Sequence, residues 1–283
     1  MPADRERAAD VLRADYAELL AMRRDVDDVR AGLWEMASSL LPDGAVGAED
    51  VLSLYRTLGG GDASHPDFAA LCAAAAKGRA LRFPEPEPDD EPEPPPHVLT
   101  LRGEGSDAAA RVLLAGGALT PLYAASAAEL CETVADGSAR FGILPVYSST
   151  DGVLMHFRRL AEEAELKAAA LCAVTTRDGA VVQYALLQRR RLPLDGGKRF
   201  LEIVLSSAGA ERLRRLPASL DLLGVTVCRS MLLPPTHDGA DARYQITMDL
   251  SRASLPTLRL YLAGAFPETE AVGYYDLLTT TIS

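Results

Sequence analysis

The sequence is poor in cysteine and in basic charge, and it lacks a long apolar run. Its 283 residues include 4 cysteines, which stand singly and without the spacing of metal ligands. No stretch reaches the ~20 apolar residues of a membrane span, and the start, MPADRERAAD, has no apolar segment of a signal peptide. We therefore expect a cytoplasmic protein with reduced thiols, no metal and no membrane contact.

Basic residues are outnumbered by acidic ones, 29 against 40, and the net charge is −11. This balance argues against nucleic acid and anionic membranes as general partners. Hydrophobic residues make up 48% of the chain, which excludes a disordered protein and indicates a globular one. We expect its partners to be small molecules and other copies of the chain.

A proline- and acid-rich stretch, PEPEPDDEPEPPP at 84–96, divides the chain. It is typical of an extended, solvated linker. The segment before it, 1–83, is predicted to be helical, with one very long helix ending at LPDG and shorter helices over 48–58 and 67–77. Because one long and two short helices bury little surface alone, this segment is expected to pair with another copy.

Two further patterns follow the linker. Residues 97–192 alternate strands with helices predicted over 107–114, 127–135 and 153–163, which is the βαβ signature of an α/β domain. Residues 198–283 read as βαββαβ, a ferredoxin-like unit. The predicted fold class is therefore α+β and multidomain: a helical dimerisation segment, a one-lobed α/β domain and a ferredoxin-like domain.

One strand in the α/β segment ends in a polar turn, GILPVYSSTDG at 142–152. Small ligands bind at the carboxyl edge of such sheets, so the turn is a candidate site. The alternative is structural: Ser, Thr, Asp and Gly are what a tight strand-to-helix connection uses, with a hydroxyl or Asp151 capping the helix that starts near Val153.

The order of the three segments and this turn resemble the bifunctional chorismate mutase/prephenate dehydratase (P-protein) family of phenylalanine biosynthesis. GILPVYSSTDG is similar to the family's G-V-V-P-I-E-N-S-T-E-G, and LTLRGEGSDAAA resembles its first strand and glycine-rich turn. The resemblance implies catalytic roles for Ser106, Ser149 and Thr150. It implies ligand-binding roles for Gly105, Ser148 and Gly152, and it implies no cofactor.

The C-terminal unit resembles the family's ACT domain, which senses phenylalanine. SSAGAERLRRL stands where the family has its P-G-A-L turn, while the E-S-R-P motif is replaced by Cys228-Arg229-Ser230-Met231. The resemblance implies that a ligand is bound by Ala208, Gly209, Ala210, Glu211, Arg229 and Ser230. Glu211 has a second interpretation, since a carboxylate is also favoured in the first turn of a helix.

The N-terminal segment resembles chorismate mutase in LLAMRRDV, which is similar to the family's L-L-A-x-R-R-x-L. The resemblance assigns substrate binding and catalysis to Arg24 and to Arg7, which lies where an earlier arginine is expected. The lysine that the rearrangement needs falls near 33–35, where no residue can supply positive charge. The alternative for the two arginines is a solvated helix face.

Two hypotheses of function stand. The first is a degenerate relative, with weak or no catalysis and a dimeric scaffold that binds prephenate, chorismate or an aromatic amino acid. It is favoured because Gln183-Tyr184-Ala185 replace the family's T-R-F motif and because 97–191 has room for only one lobe. The alternative is an active prephenate dehydratase with aromatic amino acid feedback through the ACT domain. A third possibility is an ACT unit that only pairs subunits.

Overall fold

The structure is a computed structural model that describes residues 18, 21–22, 28–83, 93–115, 119–195, 197–207, 210–233 and 242–282. The contacts divide the chain into two compact units. The first comprises residues up to 83 together with Arg214–Leu223 and Pro256–Pro267, and the second holds the remainder. In the described part of the chain, no helix has the length and apolar character that a bilayer crossing requires.

The first unit is helical. Helix α1 covers residues 28–38, α2 covers Ala48–Thr57 and α3 covers Pro66–Ala76, so the predicted short helices lie within one residue of their expected positions. Parts of α7 (Ala210–Leu222) and α8 (Leu255–Ala265) complete the unit. Its core contains a chain of aromatic rings, in which Phe68 lies 5.3 Å from Tyr55 and 6.1 Å from Tyr261 between ring centroids.

The second unit is built on one sheet. Its strands in chain order are β1 (Val98–Thr100), β2 (Pro121–Tyr123), β3 (Phe141–Ser148), β4 (Gly152–Val153), β5 (Lys167–Thr175), β6 (Val181–Gln188), β7 (Phe200–Ser207), β8 (Thr226–Leu233), β9 (Ala242–Asp249), β10 (Glu270–Tyr275) and β11 (Leu277–Thr281). The spatial order is β2-β1-β3-β6-β5-β10-β7-β9-β8, while β4 pairs with β3 and β11 pairs with β5.

Helices cover both faces of this sheet. Helix α4 (Glu104–Leu113) packs through Ala108, Ala109 and Ala110 on a cluster that includes Ile143 and Tyr184. Helices α5 (Ala127–Ala135) and α6 (Met155–Glu163) lie over the other face, where the core cluster includes β3, β5 and β6 residues. The apolar alternation along β3 divides its residues between these two cores.

The C-terminal strands have the predicted βαββαβ connectivity. β10, β7, β9 and β8 are neighbours in that order, and each pair is antiparallel. This set joins the rest of the sheet through parallel pairing of β10 and β11 with β5. The protein is thus a mixed α/β structure with one large sheet and eight helices in its described part. The predicted division into separate domains near residue 192 stays a prediction.

Candidate functional site at the carboxyl edge of the sheet

Several strands end at one edge of the sheet, and helix α4 begins there. β1, β2 and β3 are parallel to one another, and β5 and β11 have the same direction because β6 is antiparallel to both β3 and β5. Their carboxyl ends therefore meet at a common edge, where ligands bind in α/β sheets. The turn after β3 and the glycine-rich turn before α4, both singled out in the sequence, lie at this edge.

A bulge in β3 decides which way the end of this strand faces. Pro145 pairs with Tyr184 and Tyr147 pairs with Gln183, so Val146 is an extra residue in β3. Directly opposed residues share a face of the sheet, and Ser148 lies opposite Val182, which packs in the α4 core. The bulge therefore turns Ser148 to the α4 face, as bulges next to functional sites often do.

The hydroxyl of Ser148 holds the turn together. Ser148 is 5% exposed, and its Oγ lies 2.7 Å from Thr150 Oγ1. The same oxygen accepts hydrogen bonds from the amides of Thr150 at 3.2 Å and Asp151 at 3.4 Å. Thr150 Oγ1 donates in turn to the Asp151 carboxylate at 3.0 Å. The polar groups of the turn are thus bonded to one another.

Ser149 extends the pairing of β3 with β6. Its Oγ accepts a hydrogen bond from the amide of Val181 at 2.9 Å, and its amide donates to the Val181 carbonyl at 2.8 Å. Gly152 has a φ of +75°, a value that favours glycine. The expectation that a turn side chain caps α6 is wrong, because Gly152–Val153 first pair back on β3 and the N-cap is Leu154, without a side-chain bond.

The second predicted cluster, Gly105 and Ser106, faces Tyr184. Ser106 is 6% exposed and Tyr184 is 8% exposed, and their side chains are hydrogen-bonded. A Cβ atom on Gly105 would lie 2.2 Å from the Tyr184 hydroxyl oxygen, so this hydroxyl fills the space above the first turn of α4. Burial raises the pKa of Tyr184, and the hydrogen bond with Ser106 opposes this rise only in part. Because the pKa is raised, the phenol is neutral.

Sequence reasoning did not identify Tyr184 as a site residue. The available signal was that Gln183-Tyr184-Ala185 stand where the family has its T-R-F motif. The contact of Tyr184 with Gly105, however, depends on the register of β6 against β3. A further buried hydroxyl lies on the same face: Thr100 is fully buried, is opposite Ile143, and its Oγ1 has no hydrogen-bond partner in the described structure.

A cavity of about 640 Å³ runs along the outer side of α4. It is lined by Glu104, Asp107, Ala110, Arg111, Leu114, Leu119, Pro121, Tyr123, Arg177, Thr281 and Ile282. Opposite charges meet on its wall, where Arg177 lies 3.4 Å from Glu104. The Tyr123 hydroxyl donates to Asp107 at 2.9 Å. The lining combines apolar side chains with charges of both signs.

The predicted ACT residue Arg229 belongs to a buried ionic cluster around Glu202. Its guanidinium lies 3.0 Å from Glu202 Oε1, and Arg158 of α6 lies 3.3 Å from the same oxygen. Glu202 is 3% exposed and accepts further hydrogen bonds from Tyr275, Thr247 and Gln245, each at 2.9 Å. Burial raises the pKa of Glu202, but the two guanidinium groups and the hydrogen bonds outweigh it and hold the pKa below its usual value.

The other predicted residues are less informative. Ser230 is exposed on β8. Arg7, Arg24, Ala208 and Gly209 lie outside the described residues, while Ala210 and Glu211 open α7. Across the described ranges, no group of His, Cys, Asp or Glu side chains is arranged to hold a metal ion. All four cysteines are unpaired.

Comparison with known proteins finds likeness in structure alone. No protein-family model matches the chain, and no curated protein matches it. The prephenate dehydratase of Streptococcus mutans aligns with a TM-score of 0.52 and 14% identity, over 65% of this chain and 100% of its own. GqqA, described as a novel type of quorum quenching acylase, aligns with a TM-score of 0.51 and 19% identity, over 64% and 94% of the two chains.

A third structure is the prephenate dehydratase from Arthrobacter aurescens in complex with L-Phe. It aligns with a TM-score of 0.48 and 13% identity, over 64% of this chain and 90% of the Arthrobacter aurescens chain. The complete coverage of the Streptococcus mutans chain gives no support to a missing lobe. Because one fold hosts different activities, the two matches above 0.5 concern architecture. The chain shares the prephenate dehydratase fold over about two thirds of its length.

Proposed function

We propose that this protein is a ligand-binding relative of the prephenate dehydratases, with weak or no dehydratase activity. The observation that carries the proposal is the position of Tyr184, whose hydroxyl fills the space beside Gly105 and bonds to Ser106. In the resemblance drawn from the sequence, this space belongs to the substrate. A phenol that occupies it competes with any ligand that would reach Ser106.

The hydroxyl of Thr150 in the β3 turn points to the same conclusion. Loss of the ring hydroxyl from prephenate requires a proton donor placed at the leaving oxygen, in a cleft that excludes water. Thr150 Oγ1 already donates to Asp151, and Ser149 Oγ is bonded to the amide of Val181. To act as that donor, Thr150 would first have to break its bond to Asp151, whereas Ser149 is an acceptor in its bond and keeps its own proton.

Ligand binding is supported by the cavity beside α4. Its charges of both signs, Arg111 and Arg177 with Glu104 and Asp107, suit a small molecule that carries a carboxylate and an amino group. Its apolar lining residues, such as Leu114, Leu119 and Ile282, suit a ring. An aromatic amino acid combines these features, and the dicarboxylates prephenate and chorismate share the carboxylate and the ring.

The regulatory part of the proposal rests on the C-terminal unit. The βαββαβ connectivity and antiparallel order support an ACT-like module. Arg229, which the resemblance assigned to the ligand, instead bonds to Glu202, so we assign it to the framework and place the ligand in the cavity beside α4.

Two measurements on the purified full chain test the proposal. Phenylpyruvate formation from prephenate, followed by ultraviolet absorbance, is expected to stay at the spontaneous rate. Calorimetric titration with L-phenylalanine and with prephenate is expected to show binding of at least one, weakened about tenfold or more by Arg111→Ala, while exposed Ser230→Ala on β8 is the control. Turnover that falls in Ser106→Ala would instead establish an active dehydratase, and absence of binding would refute the ligand-binding role.

A further inference from the structure

Among the four charged side chains that line the cavity beside α4, one stands apart from the others. Glu104 is paired with Arg177 at 3.4 Å. The Asp107 carboxylate accepts a hydrogen bond from the Tyr123 hydroxyl at 2.9 Å. Arg111 is exposed, and within the described part of the chain it has neither an ion pair nor a hydrogen bond. A molecule that enters the cavity therefore meets a guanidinium whose charge is not compensated.

The ordinary partner of Arg111 would be Asp107. The two residues are four positions apart on α4 with the acid first, which is the favoured order for an ion pair on a helix. The Tyr123 hydroxyl binds the Asp107 carboxylate instead. The phenol is itself held in place, because Tyr123 lies opposite Thr100 in the sheet and the Arg102 guanidinium lies 5.1 Å from its ring centroid. A carboxylate and a guanidinium are thus kept side by side without being joined.

Asp107 and Arg111 together match the two charged groups of an α-amino acid. Side chains four residues apart on a helix start about 6 Å from one another, so an ammonium group can bind Asp107 while the carboxylate on the same carbon binds Arg111. Leu114 and Leu119 line the same cavity and suit an aromatic side chain. We propose that α4 binds the zwitterion of an aromatic α-amino acid between Asp107 and Arg111, with Tyr123 as the positioning residue. The inference deepens the proposed function and rests on it.

Three ligands separate the two charged groups in a calorimetric titration of the full chain at neutral pH. L-phenylalanine carries both groups, 3-phenylpropionate lacks the ammonium and 2-phenylethylamine lacks the carboxylate. L-phenylalanine is expected to bind, and each of the other two is expected to bind about tenfold more weakly. Equal affinity for all three, or no binding of L-phenylalanine, overturns the inference. The ligand-binding role itself is refuted only if prephenate also fails to bind.

Two variants assign the charged groups to their partners. Asp107→Asn is expected to weaken L-phenylalanine about tenfold without weakening 3-phenylpropionate, which has no ammonium group, whereas Arg111→Gln is expected to weaken both ligands. Glu163→Gln and Arg159→Gln make the same charge changes on the exposed ion pair of α6 and are the matched controls. If Asp107→Asn weakens both ligands equally, or if neither variant weakens L-phenylalanine, the zwitterion site is wrong while ligand binding by the protein stands.

The positioning role of Tyr123 has its own test. Tyr123→Phe frees Asp107 to pair with Arg111, so 3-phenylpropionate is expected to bind at least about twofold more weakly, since it must displace an ion pair on the helix. Adding Asp107→Asn removes the competing carboxylate and is expected to restore the wild-type affinity. A loss without this restoration would show that the hydroxyl acts through packing, and no loss at all would show that it does not separate the two charges. Either result overturns the role of Tyr123.

Discussion

The guanidinium of Arg158 lies 3.3 Å from Oε1 of Glu202, and this contact joins helix α6 to strand β7. Arg229 of β8 reaches the same oxygen at 3.0 Å, and Tyr275 of β10 donates to it at 2.9 Å. Residues from the predicted α/β segment and from the βαββαβ segment therefore share one buried charge. Removing one member of such a cluster leaves a charge without its partner inside the protein, which lowers the free energy of unfolding.

Replacing Glu202 by glutamine should destabilise the protein strongly. The side chain keeps its size, but the partly buried guanidinium groups of Arg158 and Arg229 lose their buried counter-charge, a loss of about 3 kcal/mol. Urea unfolding monitored by circular dichroism measures the change. Glu163→Gln, which removes the exposed ion pair of Glu163 with Arg159, is the matched control and should change little. Similar unfolding midpoints for the two variants would contradict this role of Glu202.

The same carboxylate predicts a pH dependence. Its pKa in the folded state is lower than its ordinary value of 4.5, so the unfolded chain binds this proton at a higher pH than the folded one does. Its contribution is therefore complete above pH 4.5 and is lost as the pH falls through the folded-state pKa. The difference in unfolding free energy between wild type and Glu202→Gln should shrink below pH 4.5. A difference that stays constant down to pH 3 would exclude the depressed pKa.

Gly105→Ala should destabilise the protein by about 1–3 kcal/mol through overpacking, since the new Cβ would meet the Tyr184 hydroxyl at 2.2 Å. Tyr184→Phe removes that oxygen and should lower the unfolding free energy by about 1 kcal/mol alone. The double variant should lose less than the sum of the two. Denaturant unfolding of all four proteins measures the coupling, and strict additivity would show that the two residues do not touch. Gly61→Ala, with no atom within 4 Å, is the neutral control.

Gly32→Ala should stabilise the protein. Gly32 lies in the middle of α1, and no atom lies within 4 Å of an added Cβ, so alanine gains about 0.5–1 kcal/mol of helix propensity. Gly44→Ala offers the opposite case, because Gly44 has a φ of +114° and its added Cβ also meets open space. The midpoint temperature of thermal unfolding should rise for Gly32→Ala and fall for Gly44→Ala. A fall in both would show that α1 requires glycine for a reason other than backbone geometry.

Local signals in the sequence were sufficient for some elements. Helix α5 was predicted over 127–135 and is found at Ala127–Ala135. Its start is fixed by hydrogen bonds between residues three or four positions apart in the sequence. Ser126 Oγ accepts from the amide of Glu129 at 3.1 Å, and the Glu129 carboxylate accepts from the amide of Ala125 at 2.6 Å. Such capping can be read from neighbouring letters because both partners are in the same turn.

Elements fixed by distant pairing were missed or misplaced. The helix predicted from Val153 begins at Met155, because Val153 pairs with Tyr147. The strand predicted from EAVGYYDLL is two strands, separated at Asp276, whose carboxylate accepts from the Arg199 amide at 2.9 Å. The candidate site divides in the same way: each of its turns is contiguous in sequence and could be predicted from it, whereas Tyr184 is brought beside Gly105 by the register of β6 against β3.

The parallel pairing of β11 with β5 has a consequence for how the chain acquires its structure. Leu277 lies opposite Leu171, so β5 cannot complete its hydrogen bonds until more than a hundred further residues have left the ribosome. During that interval one edge of β5 stays open, and open strand edges invite pairing with other chains. Pairing across such a separation is also slow, so this edge of β5 stays open until β10 and β11 together close it.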